Sequence, residues 1–194
     1  MMTVILVVGT LVGAQAQKNS LLVYGNAGYT STNAENYASA YSFRPGIGYQ
    51  FADHLTAGVN VGAWGSKTEE GTTGLGLYSR THNFEVGPFF RYTQPLGSIF
   101  AVYGQCDVNY QHATTKNDVT QMTTTQNGFI SRVWPAVGVN LKNGFALNFK
   151  FGEISYAYGK TKGGGSSNVF LADFNWTTGF QFGISKNFSF QRKS

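Results

Sequence analysis

The stretch Tyr41-Ser42-Phe43-Arg44-Pro45-Gly46-Ile47-Gly48-Tyr49-Gln50-Phe51 decides the fold. One phase of it reads Tyr41, Phe43, Pro45, Ile47, Tyr49, Phe51; the other reads Ser42, Arg44, Gly46, Gly48, Gln50. Successive side chains of a strand point to opposite faces, so this segment carries one greasy face and one polar face. The same period of two runs from about Tyr24 to Phe188, in segments of roughly a dozen residues, with almost no helical periodicity between them. Greasy faces need a cover, and the chain offers no helices to provide it. A closed ring of strands wrapped by lipid covers them and also pairs every backbone edge. The expected fold is all-β: an eight-stranded antiparallel up-and-down transmembrane β-barrel preceded by a signal peptide.

Composition agrees with that expectation. Of 194 residues only 12% are charged, 15% are aromatic and 25 are glycine, whereas soluble domains carry ~25% charged residues. No stretch after residue 14 approaches the ~20 apolar residues a spanning helix needs. The N-terminus, MMTVILVVGTLVGAQAQ, has an apolar core from Val4 to about Val12 and then the small-x-small pattern Ala14-Gln15-Ala16. Residues 1–16 therefore read as a secretory signal peptide and residues 17–194 as the outer-membrane barrel domain. No Lys or Arg precedes the apolar core, for which a truncated or misassigned start is the expected explanation. Cys106 is the only cysteine, so no disulfide forms within the chain. The net charge is +5, but its basic residues are dispersed apart from a terminal group, Lys186, Arg192 and Lys193. Anionic lipid headgroups fit that distribution better than nucleic acid does.

Eight strands are expected at about Leu21–Thr30, Ala40–Phe51, Leu55–Ser66, Tyr78–Thr93, Ser98–His112, Gly128–Asn140, Phe145–Tyr158 and Val169–Phe188. Three connections are tight: Ala52-Asp53-His54, Gln94-Pro95-Leu96-Gly97 and Leu141-Lys142-Asn143-Gly144. Four are long and rich in Thr, Ser, Asn and Gly: Ser31–Ser39, Lys67–Leu77, Ala113–Asn127 and Gly159–Asn168. Short turns on one side and long loops on the other are the asymmetry of outer-membrane barrels, and an even strand number puts both termini on the short-turn, periplasmic side. Lipid-facing rows are expected at Leu55, Ala57, Val59, Val61, Ala63; at Phe84, Val86, Pro88, Phe90, Tyr92; at Phe145, Leu147, Phe149, Phe151; and at Phe174, Trp176, Thr178, Phe180, Phe182, Ile184. The phase slips near Gly152-Glu153, where a β-bulge is expected. Pro45, Pro88 and Pro135 fall inside strands; each must sit at a bulge or forfeit a ladder hydrogen bond.

The phrases around those prolines, FRPGIGYQF, VGPFFRYTQ and VWPAVGVNL, recur with a tight turn and another strand after each. With the alternating C-terminal strand FQFGISKNF and Gln17 after the cleavage pattern, they make the mature chain resemble the small eight-stranded outer-membrane barrels of Gram-negative bacteria, the OmpA/OmpX type, and in particular its Bacteroidetes members. The resemblance implies a multi-pass barrel in the Gram-negative outer membrane, with lipid, lipopolysaccharide and the barrel-assembly machinery as partners. Phe188 fits the aromatic end of the insertion signal, although SFQRKS trails beyond it and Lys186 takes a position usually apolar. The family's members share no single activity.

The inward phase carries Arg44, Glu85, Arg91, Asp107, Arg132 and Lys150, joined by Glu153 and Asp173. Buried charges must be paired or wet, and eight strands leave an interior only wide enough for side chains to fill. A plug of ion pairs is therefore expected ahead of a narrow porin-like conduit. Arg80 and His82 lie on the outward phase near the loops, a position suited to lipopolysaccharide phosphates or to interfacial snorkelling. No compact nucleophile–base–acid group surrounds His54, His82 or His112, and three scattered histidines with one cysteine lack metal-ligand spacing. The expected function is non-enzymatic, without metal or cofactor: a structural role, or binding of an extracellular ligand through the loops. A lipid-modifying hydrolase is the enzymatic alternative.

Overall fold

In a computed structural model the described residues are 18–33, 37–70, 76–174 and 180–190. The expected signal peptide, and Trp176 and Thr178 of the last lipid-facing row, lie outside them. The strands are β1 (Ser20–Asn33), β2 (Tyr37–Ala52), β3 (Leu55–Glu69), β4 (Tyr78–Leu96), β5 (Phe100–Asn117), β6 (Met122–Asn140), β7 (Phe145–Phe151), β8 (Glu153–Thr161), β9 (Ser166–Asp173) and β10 (Phe180–Ser189). All pairings are antiparallel, in the order β5-β4-β3-β2-β1-β10-β7-β6, and a β5–β6 ladder closes the ring. Eight strands thus form a barrel. β8 continues β7 and pairs with the upper half of β6, while β9 folds back on β8.

The two faces are inverted relative to a soluble protein. Phe43, Val59, Phe84, Phe90, Phe182 and Ile184 are exposed, whereas Glu85 is only 1% and Arg91 4% accessible. Small residues on the inward phase make room for this packing. A Cβ at Gly48 would approach Phe89 Cζ to 2.6 Å, and one at Gly46 would collide with the ring of Tyr24. The tight turns follow local chemistry. Asn143 and Gly144 adopt φ of 60° and 78°, the left-handed values that an Asn-Gly hairpin turn tolerates.

Each proline meets its ladder as expected. Arg44 and Pro45 break the β2–β3 ladder without shifting its register, and Gly87 and Pro88 do the same between β4 and β5. Pro135 lies where the partner of β6 changes from β8 to β7: Val133 faces Ile154 but Ala136 faces Lys150, a slip of one residue. Gly152, at φ 100°, is the bulge that absorbs it.

The long loops are shorter than the sequence suggests. The β5–β6 ladder runs unbroken to Asn117 opposite Met122, so the expected loop 113–127 shrinks to a turn at 118–121. Threonine is β-branched and favours the pleated sheet, and Thr114 faces Thr125 while Thr115 faces Thr124 across the pair. The turn is closed by Asn117 Oδ1, which accepts hydrogen bonds from the backbone N–H of Val119 and Thr120, both at 2.9 Å. Likewise β8 and β9 occupy most of the expected loop 159–168, leaving 162–165 as the turn.

The eighth strand is interrupted. Phe151 faces Phe180 and Glu153 faces Asp173, so the register of β10 is offset by five residues from that of β9 along β7 and β8. β1 pairs with β10 only over Ser20–Gly25. Above Gly25, β1 is laddered to β2 alone among the described residues, and Tyr29 is 71% exposed.

Candidate functional site

The interior of the barrel gathers the inward-facing charges into two groups. In the first, Arg91 of β4 donates from Nε and Nη2 to Gln105 Oε1 of β5, at 2.8 and 2.6 Å. Gln105 Nε2 donates in turn to Asp107 Oδ1 at 2.6 Å and to the Tyr24 hydroxyl at 2.8 Å. Asp107 also accepts from Asn60 Nδ2 at 3.1 Å and Trp134 Nε1 at 3.0 Å. The guanidinium carbon of Arg91 lies 4.3 Å from the ring centre of Tyr103 and 4.5 Å from that of Tyr24, with Phe89 at 5.9 Å and Trp134 at 6.0 Å. A cation held by aromatic faces in a desolvated place gains electrostatically from each ring quadrupole. This layer crosses the middle of the barrel. It separates a lower cavity, bordered by Leu22, Thr56 and Ala101, from an upper one bordered by Arg44, Glu85 and Lys150.

The second group surrounds the upper cavity. Arg132 of β6 makes a bidentate pair with Glu85 of β4, both contacts at 2.8 Å, and its Nε lies 3.8 Å from Glu153. Lys150 of β7 pairs with Glu153 across the Gly152 bulge. Asp173 faces Glu153 across the β8–β9 ladder. Arg44 of β2 packs its stem over Gly62, where a Cβ would meet both Arg44 and Glu85. Its Nε is buried with no hydrogen-bond partner among the described residues.

Arg80 and His82 lie apart from these groups, at the upper rim. Arg80 Nη1 contacts Asp118 Oδ1 at 2.9 Å, so its charge is met by the β5–β6 turn. His82 Nδ1 lies 3.1 Å from the Tyr41 hydroxyl. The other histidines are similarly local: His54 Nδ1 lies 2.8 Å from Thr93 O, and His112 Nδ1 lies 2.6 Å from Asn127 Oδ1. Among the described residues no group of three His, Cys, Asp or Glu side chains has metal-binding geometry.

Sequence reading missed the aromatic cage of Arg91, because it assigned no face to Tyr24, Phe89, Tyr103 or Trp134. A signal was present. In the doublet Phe89-Phe90 the two rings must point to opposite faces, and a row of inward glycines (Gly46, Gly48, Gly58) leaves space for the inner one.

No protein-family model and no curated protein sequence matches the chain. Among solved structures it is similar to Neisserial surface protein A, at 14% identity and a TM-score of 0.49, over 87% of this chain and 96% of that one. It is also similar to the translocator domain of the autotransporter NalP from Neisseria meningitidis, at 13% identity and a TM-score of 0.42, over 87% of this chain and 57% of that one. The fold assignment rests on the ring of paired strands itself.

Proposed function

We propose that this chain is an outer-membrane β-barrel protein of a Gram-negative bacterium, of the OmpA/OmpX type, with periplasmic termini and a plugged centre. Its role is non-enzymatic, structural or exerted through the projecting hairpins, with outer-leaflet lipid and lipopolysaccharide as neighbours and the barrel-assembly machinery as its route into the membrane. One observation carries the reading: apolar and aromatic side chains cover the outside of the ring while charged ones fill its inside. In water such an arrangement would expose many large apolar side chains without recompense; in a bilayer each becomes favourable. The strands β4, β5 and β6, of 19, 18 and 19 residues, exceed the ~9–11 residues that span a bilayer. Their upper parts therefore stand clear of the lipid as paired hairpins. The caged Arg91 layer favours a plug over a conduit, because Arg91 and Tyr103 stand between the two cavities.

Cys106, exposed on the outer face between Gly104 and Val108, supplies the test. A nitroxide attached to it, in protein reconstituted into phospholipid vesicles, is expected to relax readily with dissolved oxygen and poorly with a water-soluble nickel chelate. The reverse order of accessibility refutes the membrane reading. Planar-bilayer recording tests the plug: steady unitary conductance from the parent protein would refute it.

A further inference from the structure

The upper cavity, about 90 Å³ in volume, has room for a few waters or one small polar group. Five charged side chains border it: Arg44, Arg132 and Lys150 against Glu85 and Asp107. Four of the five have partners of their own. Glu85 holds Arg132, Lys150 holds Glu153, and Asp107 takes hydrogen bonds from Asn60, Gln105 and Trp134. Arg44 has no salt bridge among the described residues, and its Nε lies buried without an acceptor. Arg44 is therefore the one charged side chain at the cavity wall without a contact partner of its own among the described residues. Removing a guanidinium from water without a compensating anion is costly.

The same cavity reaches the seam between β1 and β10. It is bordered by Asn26 of β1 and by Gln181, Phe182 and Ile184 of β10, the strands whose ladder stops at Gly25 and Ile184. Above that point the described link between them is a single side-chain hydrogen bond, from Asn26 Nδ2 to Gln181 Oε1 at 3.3 Å. Phe182, 68% exposed, and Ile184 stand on the outer face of this gap. A polar, cationic cavity thus meets an apolar outer surface through an unladdered stretch of wall.

We propose that this gap is a lateral portal, and that the upper cavity binds the anionic headgroup of a membrane amphiphile whose hydrocarbon chain stays outside against Phe182 and Ile184. The cavity volume excludes the chain itself, so recognition is of an acidic head such as a phosphate monoester. Arg44 is the direct acceptor of that charge, and the Asn26–Gln181 bond is the latch that must part. The proposal rests on the membrane reading above, which the Cys106 label tests separately. A protein whose Cys106 faces lipid but which binds no acidic amphiphile fails this proposal alone.

The experiment is native mass spectrometry of the mature protein released from neutral maltoside micelles, titrated with monododecyl phosphate and, in a second arm, inorganic phosphate. One dodecyl phosphate per barrel is expected. Arg44→Gln should weaken its binding by about tenfold or more, since a charge-assisted hydrogen bond is lost. A latch variant, Asn26→Cys with Gln181→Cys on a Cys106→Ser background, should lose binding when oxidised and regain it on reduction. Dodecyl phosphate bound equally by Arg44→Gln would overturn the role of Arg44. Undiminished binding by the oxidised latch variant would overturn the portal, as would inorganic phosphate binding as tightly as the dodecyl ester. Binding of neither ligand overturns the whole proposal.

Discussion

The Glu85–Arg132 pair offers the sharpest test of how the interior is held. Both side chains are nearly inaccessible, at 2% and 7%, and two parallel contacts of 2.8 Å join them. Substituting Arg132→Leu strands the Glu85 carboxylate on the barrel wall, and breaking such a buried pair from one side costs about 3–5 kcal/mol. Glu85→Leu should cost less, about 1–3 kcal/mol, because Arg132 retains Glu153 at 3.8 Å. The double variant should recover most of the loss, since replacing both members of a buried pair by apolar groups of similar volume is near neutral. The assay is urea unfolding in lipid vesicles, followed by tryptophan emission; Trp134 reports directly because its indole N–H donates into the same interior at Asp107. With a denaturant slope of about 2 kcal/mol per molar, a 4 kcal/mol loss lowers the midpoint by roughly 2 M. Two single substitutions that each cost under about 1 kcal/mol and add without coupling would refute the reasoning. That result would mean the pair sits in water, and the interior would then be a wet channel rather than a packed plug.

Four further outcomes follow from the same packing. Arg91→Ala should remove the cross-piece between the two cavities, so that planar bilayers record conductance steps for this variant and none for the parent; Arg91→Lys should also destabilise, by about 2 kcal/mol in the urea assay, because an ammonium cannot reproduce the planar stacking or the paired contacts on Gln105. Gly48→Ala should destabilise by about 1–3 kcal/mol through overpacking against Phe89, which lies within 2.6 Å of the new Cβ. Gly104→Ala, on the outer face with nothing within 4 Å, should stay within about 0.5 kcal/mol of the parent, and a loss as large as that of Gly48→Ala would contradict the assigned faces.

The barrel was legible in the sequence because a period of two is a geometric property of extended chain, and it survives any register. That is why Val59, Phe84 and Phe182 face outward, Arg44 and Asp107 inward, and why the Gly152 bulge could be placed from the phase slip alone. What escaped depends on register or on competing propensities. The Arg91–Gln105–Asp107 chain joins β4 to β5 through a pairing that puts Arg91 opposite Gln105, and no local pattern states that alignment. The threonine-rich segment before and after Asp118 looks like a solvated loop by composition, yet each threonine also has the branched side chain a strand prefers, and cross-strand partners decided the outcome. The Arg80–Asp118 contact was invisible for the same reason: once the hairpin is extended, its turn reaches a rim residue that alternation alone places only on the outward phase.

The distribution of charge between the two interior layers distinguishes a filler from a site. In the central layer the cation Arg91 is answered by the anion Asp107 through Gln105, and aromatic rings close around it. A barrel that needed only a plug would repeat that solution above, with every charge matched and every strand laddered to its neighbour. The upper layer does neither: Arg44 lacks a carboxylate partner among the described residues, and the wall beside it loses its ladder above Gly25. A guanidinium without a contact partner and an unladdered strand edge are each unfavourable, and both fall where the β1–β10 ladder ends. Folding stability alone gives no reason to place the two together. An anionic group arriving through the gap relieves the first, which ties the irregular register of β9 and β10 to the chemistry of Arg44.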